Sequence, residues 1–317
     1  MIKKILLYFF VFVVLMYAVR ELIYIGVRKN KAGVFEKYNT MFLKQNNFDV
    51  LFLGSSRTET HFNPLLFDSL TGCNSYNLGV TGATPRIAFG VLKAYCSKSE
   101  LPRDLIFDVD FHFLKYGVDT IRHFPRYFPY LNNTELLKQF NQIDDRFTSF
   151  YYDPFHALPY SNFRMLSASL HGWLGIKGKY DSCYYKGFVK TGFGKELEIF
   201  PQKKFYAYIN PIERRYLDSI ILFSRRNKIR LTLVTSPMFA GGKVDLLNKN
   251  DIITQINNIA KINKVIYKDL SQTKFSNDRK CFIDLYHMTT KGADLFTRDF
   301  GAFFNTNLGK DRNLRRE

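Results

Sequence analysis

Hydrophobic and polar positions follow three different rhythms along this chain. In the first, Lys3-Lys4 precede Ile5 to Val19, an apolar run with no charged position. Arg20-Glu21 interrupt it, and Leu22 to Val27 continue it. As one helix, Ile5 to Val27 would be roughly 35 Å long, enough to cross a bilayer. No small-x-small cleavage pattern follows Ala18, which favours an uncleaved signal anchor over a removed signal peptide. Lys3 and Lys4 argue for an N-terminus inside; Arg20, Arg28, Lys29 and Lys31 argue against it. A short tail followed by one apolar segment usually exports what comes next. The expectation is a single-pass protein of the cytoplasmic membrane, with its large C-terminal region on the extracytoplasmic, periplasmic side.

The second rhythm is a strand-and-helix alternation. Asp49 to Leu53, Asn74 to Leu78, Asp104 to Val109, Ile229 to Thr235 and Val265 to Leu270 are compact apolar runs that read as strands. Ala32 to Asn46, Pro85 to Tyr95, Pro211 to Arg226, Asp245 to Asn263 and Thr289 to Phe304 carry helical spacing. Strands alternating with helices imply parallel crossovers and a three-layer α/β domain. The third rhythm is its loss over 111–205, a stretch rich in Phe and Tyr with little clean periodicity, which reads as an insertion of loops and short helices. The chain therefore divides into an anchor over 1–28, a juxtamembrane helix over 29–47, an α/β domain over 48–308 with the insertion at about 111–205, and a basic tail over 309–317.

Composition narrows this picture. Lys plus Arg is 46 against 28 Asp plus Glu, a formal charge of +18, so an anionic partner suits the chain. The excess is spread rather than gathered into a run, which favours a solvated surface or an envelope setting over a nucleic-acid groove. Cys73, Cys96, Cys183 and Cys281 are far apart and form no Cys-x-x-Cys pair, which argues against a structural zinc site; their spacing does not choose between disulfides and buried thiols.

Three segments place reactive side chains where strands of a parallel sheet end, the edge at which such folds do chemistry. Gly54-Ser55-Ser56-Arg57 follows the first strand and opens a helix, so a serine there lies near backbone N–H groups; an ordinary helix cap is the plainer reading. Asn77-Leu78-Gly79-Val80-Thr81-Gly82 follows the second strand, and its glycines let backbone donors approach another group, as an oxyanion needs. Asp284-Leu285-Tyr286-His287 leads into the last helix; there a carboxylate can orient an imidazole that accepts a serine proton. Asp108-Val109-Asp110 could instead hold a metal with a nucleotide-sugar, but no supporting carboxylate cluster or nucleotide loop accompanies it. His61, His123, His156 and His171 have no motif spacing and read as structural or surface histidines.

In this order the three segments resemble the SGNH (GDSL-type) hydrolases, over roughly residues 48 to 305. The resemblance implies a flavodoxin-like three-layer α/β/α fold with a parallel sheet. It implies Ser56 as nucleophile, His287 as general base and Asp284 as its orienting partner, with the Ser56 and Gly82 amides as oxyanion donors. Arg57, Asn77, Asp110 and His112 become candidate substrate contacts. The chain departs from the family where a third block usually reads Gly-x-Asn-Asp: here it reads Phe107-Asp108-Val109-Asp110-Phe111-His112, so the family's Asn donor has no counterpart, and the hole either has only two donors or borrows one from Arg57 or His112. A similar pattern, Gly-Ser-Ser with a membrane anchor, occurs in SGNH-like proteins of cell-envelope acylation, including the D-alanyl transfer and alginate O-acetylation families. The expectation is a membrane-anchored esterase or O-acyltransferase acting on acyl groups, acetyl foremost, of an envelope polysaccharide, with neither metal nor organic cofactor. A membrane-bound acyltransferase is a candidate partner and nucleic acid is not. The alternative is an inactive scaffold or glycan-binding component of an acylation complex.

Overall fold

The structure is a computed structural model of the chain, describing residues 1–109, 121–178, 183–192, 206–240 and 247–308. Its helices are α1 (Ile2–Arg28), α2 (Gly33–Phe42), α3 (Ser56–His61), α4 (Pro64–Thr71), α5 (Pro85–Cys96), α6 (Thr134–Asn141), α7 (Arg146–Tyr152), α8 (Pro154–Ala157), α9 (Phe163–Leu174), α10 (Pro211–Arg226), α11 (Lys249–Asn263) and α12 (Thr290–Asn307). Its strands are β1 (Val50–Leu53), β2 (Ser75–Asn77), β3 (Asp104–Asp108), β4 (Tyr184–Tyr185), β5 (Phe188–Val189), β6 (Arg230–Thr235) and β7 (Ile266–Asp269). The chain forms two compact units: a sheet unit of residues 46–92, 99–118 and 185–317, and a helical unit of residues 1–45, 93–98 and 119–184.

In the sheet unit five strands pair in parallel in the order β2-β1-β3-β6-β7. This is the flavodoxin-like order, with its reversal of direction between β1 and β3. The five strands are the five the sequence pattern marks, and α5, α10 and α12 fall on the expected helices. The helix expected from Asp245 begins at Lys249, beyond a stretch that lies outside the described residues. Helix α4 was not expected, although its punctuation is in the sequence. The Asn63 side chain caps it, Pro64 occupies its first turn, and Gly72 closes it at φ 67°.

Every residue of β1 is fully buried, as a strand covered on both faces must be. Val50, Phe52, Ile106 and Val234 face a cluster that includes Phe62, Phe67, Phe296, Phe300 and Phe304 from α3's end, α4 and α12. Phe52 stacks on Phe62 at 4.7 Å and meets Phe67 edge-on at 5.0 Å. Leu51, Leu53, Leu105 and Phe107 point to the opposite face and are equally enclosed. Emptying one such Phe site typically costs about 3–5 kcal/mol.

The helical unit is built on α1, which is long and apolar enough to cross a membrane. The Asn39 carboxamide donates to the Arg28 and Asn30 carbonyls, which fixes α2 against the end of α1. Of Val34, Tyr38, Met41 and Phe42, which helical spacing puts on one face of α2, the last three are buried and Val34 is half-buried; Tyr38 stacks on Tyr127 at 5.1 Å. The expected insertion holds α6 to α9 and a 3-10 turn over Phe124–Tyr130, packed through rings such as Phe128 on Phe150 at 4.6 Å. Parts of that insertion, 111–120, 179–182 and 193–205, and the tail over 309–317, lie outside the described residues. The four cysteines are free thiols.

Candidate active site

The turn after β1 is shaped by Gly54. Its φ is 149°, and a Cβ there would lie 2.2 Å from Thr58 Oγ1, so only glycine fits. The chain then enters α3, with Ser55 as its cap: Arg57 N donates to Ser55 Oγ at 3.2 Å. Ser56 is the first helical residue, and of the two serines it is the partly exposed one. The second turn lies alongside, because Leu78 N donates to Phe52 O at 2.7 Å and Val80 N donates to Gly54 O at 3.0 Å. Gly82 ends that turn at φ 79°.

The third segment is a tight loop closed at its base. Phe282 and Met288 form an antiparallel bridge, and Ile283 N donates to His287 O at 2.9 Å. Asp284 stiffens it from within: Oδ1 accepts from Tyr286 N at 2.7 Å and from His287 N at 2.8 Å. Its Oδ2 lies 2.7 Å from His287 Nδ1, and His287 Nε2 lies 2.7 Å from Ser56 Oγ. An ionised carboxylate can only accept, so Nδ1 carries the proton and Nε2 accepts from the Ser56 hydroxyl. Burial pushes the Asp284 carboxyl up. The hydrogen bond and charge of His287, with the two backbone donors, outweigh it and hold the group below the ordinary carboxylate range. The structure thus brings Ser56, His287 and Asp284 into one relay, although Ser56 and His287 are 231 residues apart.

A buried layer lies beneath. His61 is fully enclosed; its Nε2–H donates to Tyr286 O at 3.0 Å, and its Nδ1 lies 2.9 Å from Ser236 Oγ. Burial, then the charges of Arg57 and His287, push the His61 pKa well down, so the ring is neutral and Nδ1 is the acceptor. Asp108 Oδ1 accepts from Ser236 N at 3.0 Å, and its Oδ2 lies 2.8 Å from Ser236 Oγ and 3.3 Å from Thr58 Oγ1. The Ser236 hydroxyl proton therefore has two acceptors in reach. This network joins the ends of β3 and β6 to α3 and to the loop that carries His287. His61 is the structural histidine that its lack of motif spacing suggests. Ser236 was not singled out, though its place at the end of a strand was the available signal.

Four candidate substrate contacts come out differently. Arg57 is 1% exposed, and its guanidinium donates inward to Ser236 O, to Ser236 Oγ at 3.1 Å and to Pro237 O at 3.2 Å. These donors tie α3 to the segment that follows β6. Asn77 is fully buried, donating to Thr58 O at 2.7 Å and Phe62 O at 2.9 Å while accepting from Gly79 N at 2.9 Å. Asn77 thereby ties the end of α3 to the turn after β2: Thr58 O accepts from it as well as from Phe62 N, and Phe62 O lies just past the helix. Asp110 and His112 lie outside the described residues. Asp108 is 2% exposed and committed to Ser236 and Thr58, which removes it from the Asp-x-Asp metal reading. Among the described residues no group of three or more His, Cys, Asp or Glu could hold a metal ion.

No family model and no curated protein matches the chain. Several solved structures are similar to it. A candidate acylhydrolase from Bacteroides fragilis is 14% identical, with a TM-score of 0.42, covering 87% of this chain and 96% of its own. A candidate lipolytic protein of the G-D-S-L family from Desulfitobacterium hafniense is 10% identical, with a TM-score of 0.41, covering 81% and 99%. A GDSL-like lipase from Bacteroides thetaiotaomicron is 13% identical, with a TM-score of 0.40, covering 82% and 88%. The α/β fold is read from the strand order itself, and the chemistry from the distances around Ser56.

Proposed function

We propose that this chain is an SGNH-like serine esterase or O-acyltransferase, held to the cytoplasmic membrane by α1 and working on the extracytoplasmic side. The observation that carries the reading is the Ser56–His287–Asp284 relay, with both links at 2.7 Å. Ser56 Oγ attacks the carbonyl carbon of an acyl ester as His287 Nε2 takes its proton. Asp284 holds the ring in the right tautomer and stabilises the imidazolium. The Ser56 and Gly82 amides would hold the oxyanion; each such donor typically contributes ~3 kcal/mol to the transition state. His287 then returns the proton to the leaving alkoxide. The acyl-Ser56 ester is resolved by water in a hydrolase or by a sugar hydroxyl in a transferase, with His287 as base again.

The substrate we favour is an acetyl or similar small acyl ester of a cell-envelope polysaccharide. It is supported by the anchor helix, the +18 charge and the likeness of the sequence motifs to envelope acylation proteins. A membrane-bound acyltransferase would then be the natural acyl donor. A fluorophosphonate probe tests the chemistry: labelling at Ser56 that disappears in Ser56→Ala is expected. Absence of labelling on folded protein would instead indicate an inactive scaffold. An acetylated oligosaccharide as substrate and an unacetylated one as acceptor then separate hydrolysis from transfer.

A further inference from the structure

Helix α9 has a broad exposed side that is apolar. Met165, Ser169 and Gly172 are buried on one side. The next side carries Phe163, Leu166, Leu170, Trp173 and Leu174, and Ile176 follows just beyond the helix; all are exposed, Phe163 at 84% and Leu174 at 61%. A surface helix of a water-soluble unit normally sets polar residues opposite its buried stripe. Here the polar positions, Arg164 and His171, are confined to a third, narrower strip.

The buried side of α9 packs on α1, and closely. A Cβ on Gly172 would fall 1.8 Å from Gly26 O, and one on Gly26 would fall 2.3 Å from Ser169 Oγ. Small residues that let two backbones approach this way are typical of helix pairs in lipid. Other contacts continue down α1: Trp173 Nε1 donates to Leu22 O at 3.0 Å, Tyr17 Oη donates to Tyr152 O at 2.7 Å, and Phe155 meets Phe12 at 5.6 Å. From Phe12 to Gly26 is roughly 21 Å of helix at ~1.5 Å per residue. Since a span uses about 20 residues, most of that stretch must lie within the bilayer if α1 crosses it.

An element packed against α1 at that height shares its solvent, so its outward side chains must be apolar. At that height stand Phe155 and the C-terminal end of α9, where Leu170, Trp173 and Leu174 are exposed and apolar; the start of α9 lies beyond the end of α1, since Asn30 Nδ2 donates to Ala168 O at 2.8 Å. The same packing gives partners to Arg20, one of the two charges that interrupt the apolar run. Arg20 is 8% exposed, donates to Tyr151 O at 2.7 Å and pairs with Glu21 at 3.0 Å. An intramembrane arginine needs such partners. Lys29 Nζ sits 3.6 Å from the Trp173 ring centroid, a cation over an indole of the kind found where a helix leaves the hydrocarbon.

We infer that the end of α7, α8 and the C-terminal end of α9 enter the outer leaflet beside α1 as a monotopic platform, with Phe155, Leu170, Trp173 and Leu174 in contact with lipid acyl chains. This rests on the reading of α1 as a membrane span. Lipid is the occupant because these apolar side chains are exposed on segments packed against Phe12 to Leu22, the part of α1 that a span holds in the bilayer.

The chain carries a single tryptophan, Trp173, which is itself a reporter on this face. The test uses the full chain in phosphatidylcholine–phosphatidylglycerol vesicles, with and without bromine on the acyl chains. Expected are flotation with the vesicles after alkaline carbonate, a blue-shifted emission, strong quenching by bromines near the headgroup, weaker quenching by bromines near the bilayer centre, and none by aqueous iodide. The triple variant Leu166→Glu, Leu170→Glu, Leu174→Glu should still float but lose most bromine quenching and gain iodide quenching. If that variant does not fold, Leu170→Trp with Trp173→Phe moves the indole to the middle of the face and should increase the bromine effect. Protein that floats while iodide, not bromine, quenches Trp173 overturns the platform and leaves the span intact. Protein that floats, resists both quenchers and cross-links as a dimer shows a second copy on this face and overturns it as well. Protein that does not float removes the span, and the platform with it.

Discussion

The two units use the same kind of residue to opposite ends. In the sheet unit Phe52, Phe62, Phe67, Phe300 and Phe304 are all sealed inside, stacked between sheet and helices. In the helical unit Phe128, Phe140, Phe147 and Phe150 are sealed in the same way, but Tyr152, Phe155, Phe163 and Trp173 stand outside. Aromatic content therefore says nothing by itself about burial. What differs is how many sides of a helix have protein to lie on. Helix α12 has a sheet beneath it and offers solvent a polar back. Helix α9 has α1 on one side and, among the described residues, a second apolar side that is exposed.

The largest expected effect bears on where the chemistry resides. Ser56→Ala should lower turnover of p-nitrophenyl acetate about 10⁴-fold or more, with the melting temperature nearly unchanged. Phe150→Ala in the helical unit is the counterpart: its kcat on the same ester should be unchanged. A Phe150→Ala enzyme that loses kcat, or a Ser56→Ala enzyme that keeps it, breaks the division. Next in size, Asp284→Asn should cost roughly 10³- to 10⁴-fold in kcat with little change in KM, because the ring is left in the wrong tautomer.

Stability effects come third. Phe300→Ala and Phe150→Ala should each lower unfolding free energy by about 3–5 kcal/mol, measured by denaturant titration in detergent. Equal costs would show that both units have solid-like cores despite their different exteriors. Asn77→Ala should cost about 2 kcal/mol, since it removes the donor to the Phe62 carbonyl and the acceptor of Gly79 N from a buried site. If KM for the ester rises while stability holds, Asn77 is a substrate contact after all.

The smallest effect is a pH slope confined to the sheet unit. His61 is held neutral, so the unfolded chain takes up a proton below its ordinary pKa of about 6.5 while the native chain does not. Stability should therefore fall as pH drops from about 6.5, and the slope should shrink in His61→Gln. The Asp284 carboxyl works in a lower window. Its pKa is depressed, so its contribution is complete above the ordinary carboxylate value of about 4 and is lost as pH falls through the depressed one. Melting temperature against pH, for the parent chain and the two single variants, separates the two windows.

The strands were legible because each is a short apolar run with a turn residue at its end, and burial on both faces forces that composition. Helix α4 was equally marked, by Asn63-Pro64 and Gly72, but a segment of eight residues offers too little periodicity to stand out. Arg57 and Asn77 read as polar residues beside a reactive serine, and nothing local reveals that both turn inward. Their direction is set by acceptors on other segments, Ser236 and Pro237 for Arg57, Thr58 and Phe62 for Asn77.

By itself the sequence determined the elements, the parallel alternation and the three segments worth watching, because propensity, turn chemistry and strand-end position act over a few neighbouring residues. Only the tertiary structure decided that Ser56 and His287 meet at 2.7 Å, that Asp108 belongs to a buried network, and that an apolar side of α9 is exposed among the described residues. Those are matters of distance between segments far apart in the chain, and distance is fixed by how the layers pack.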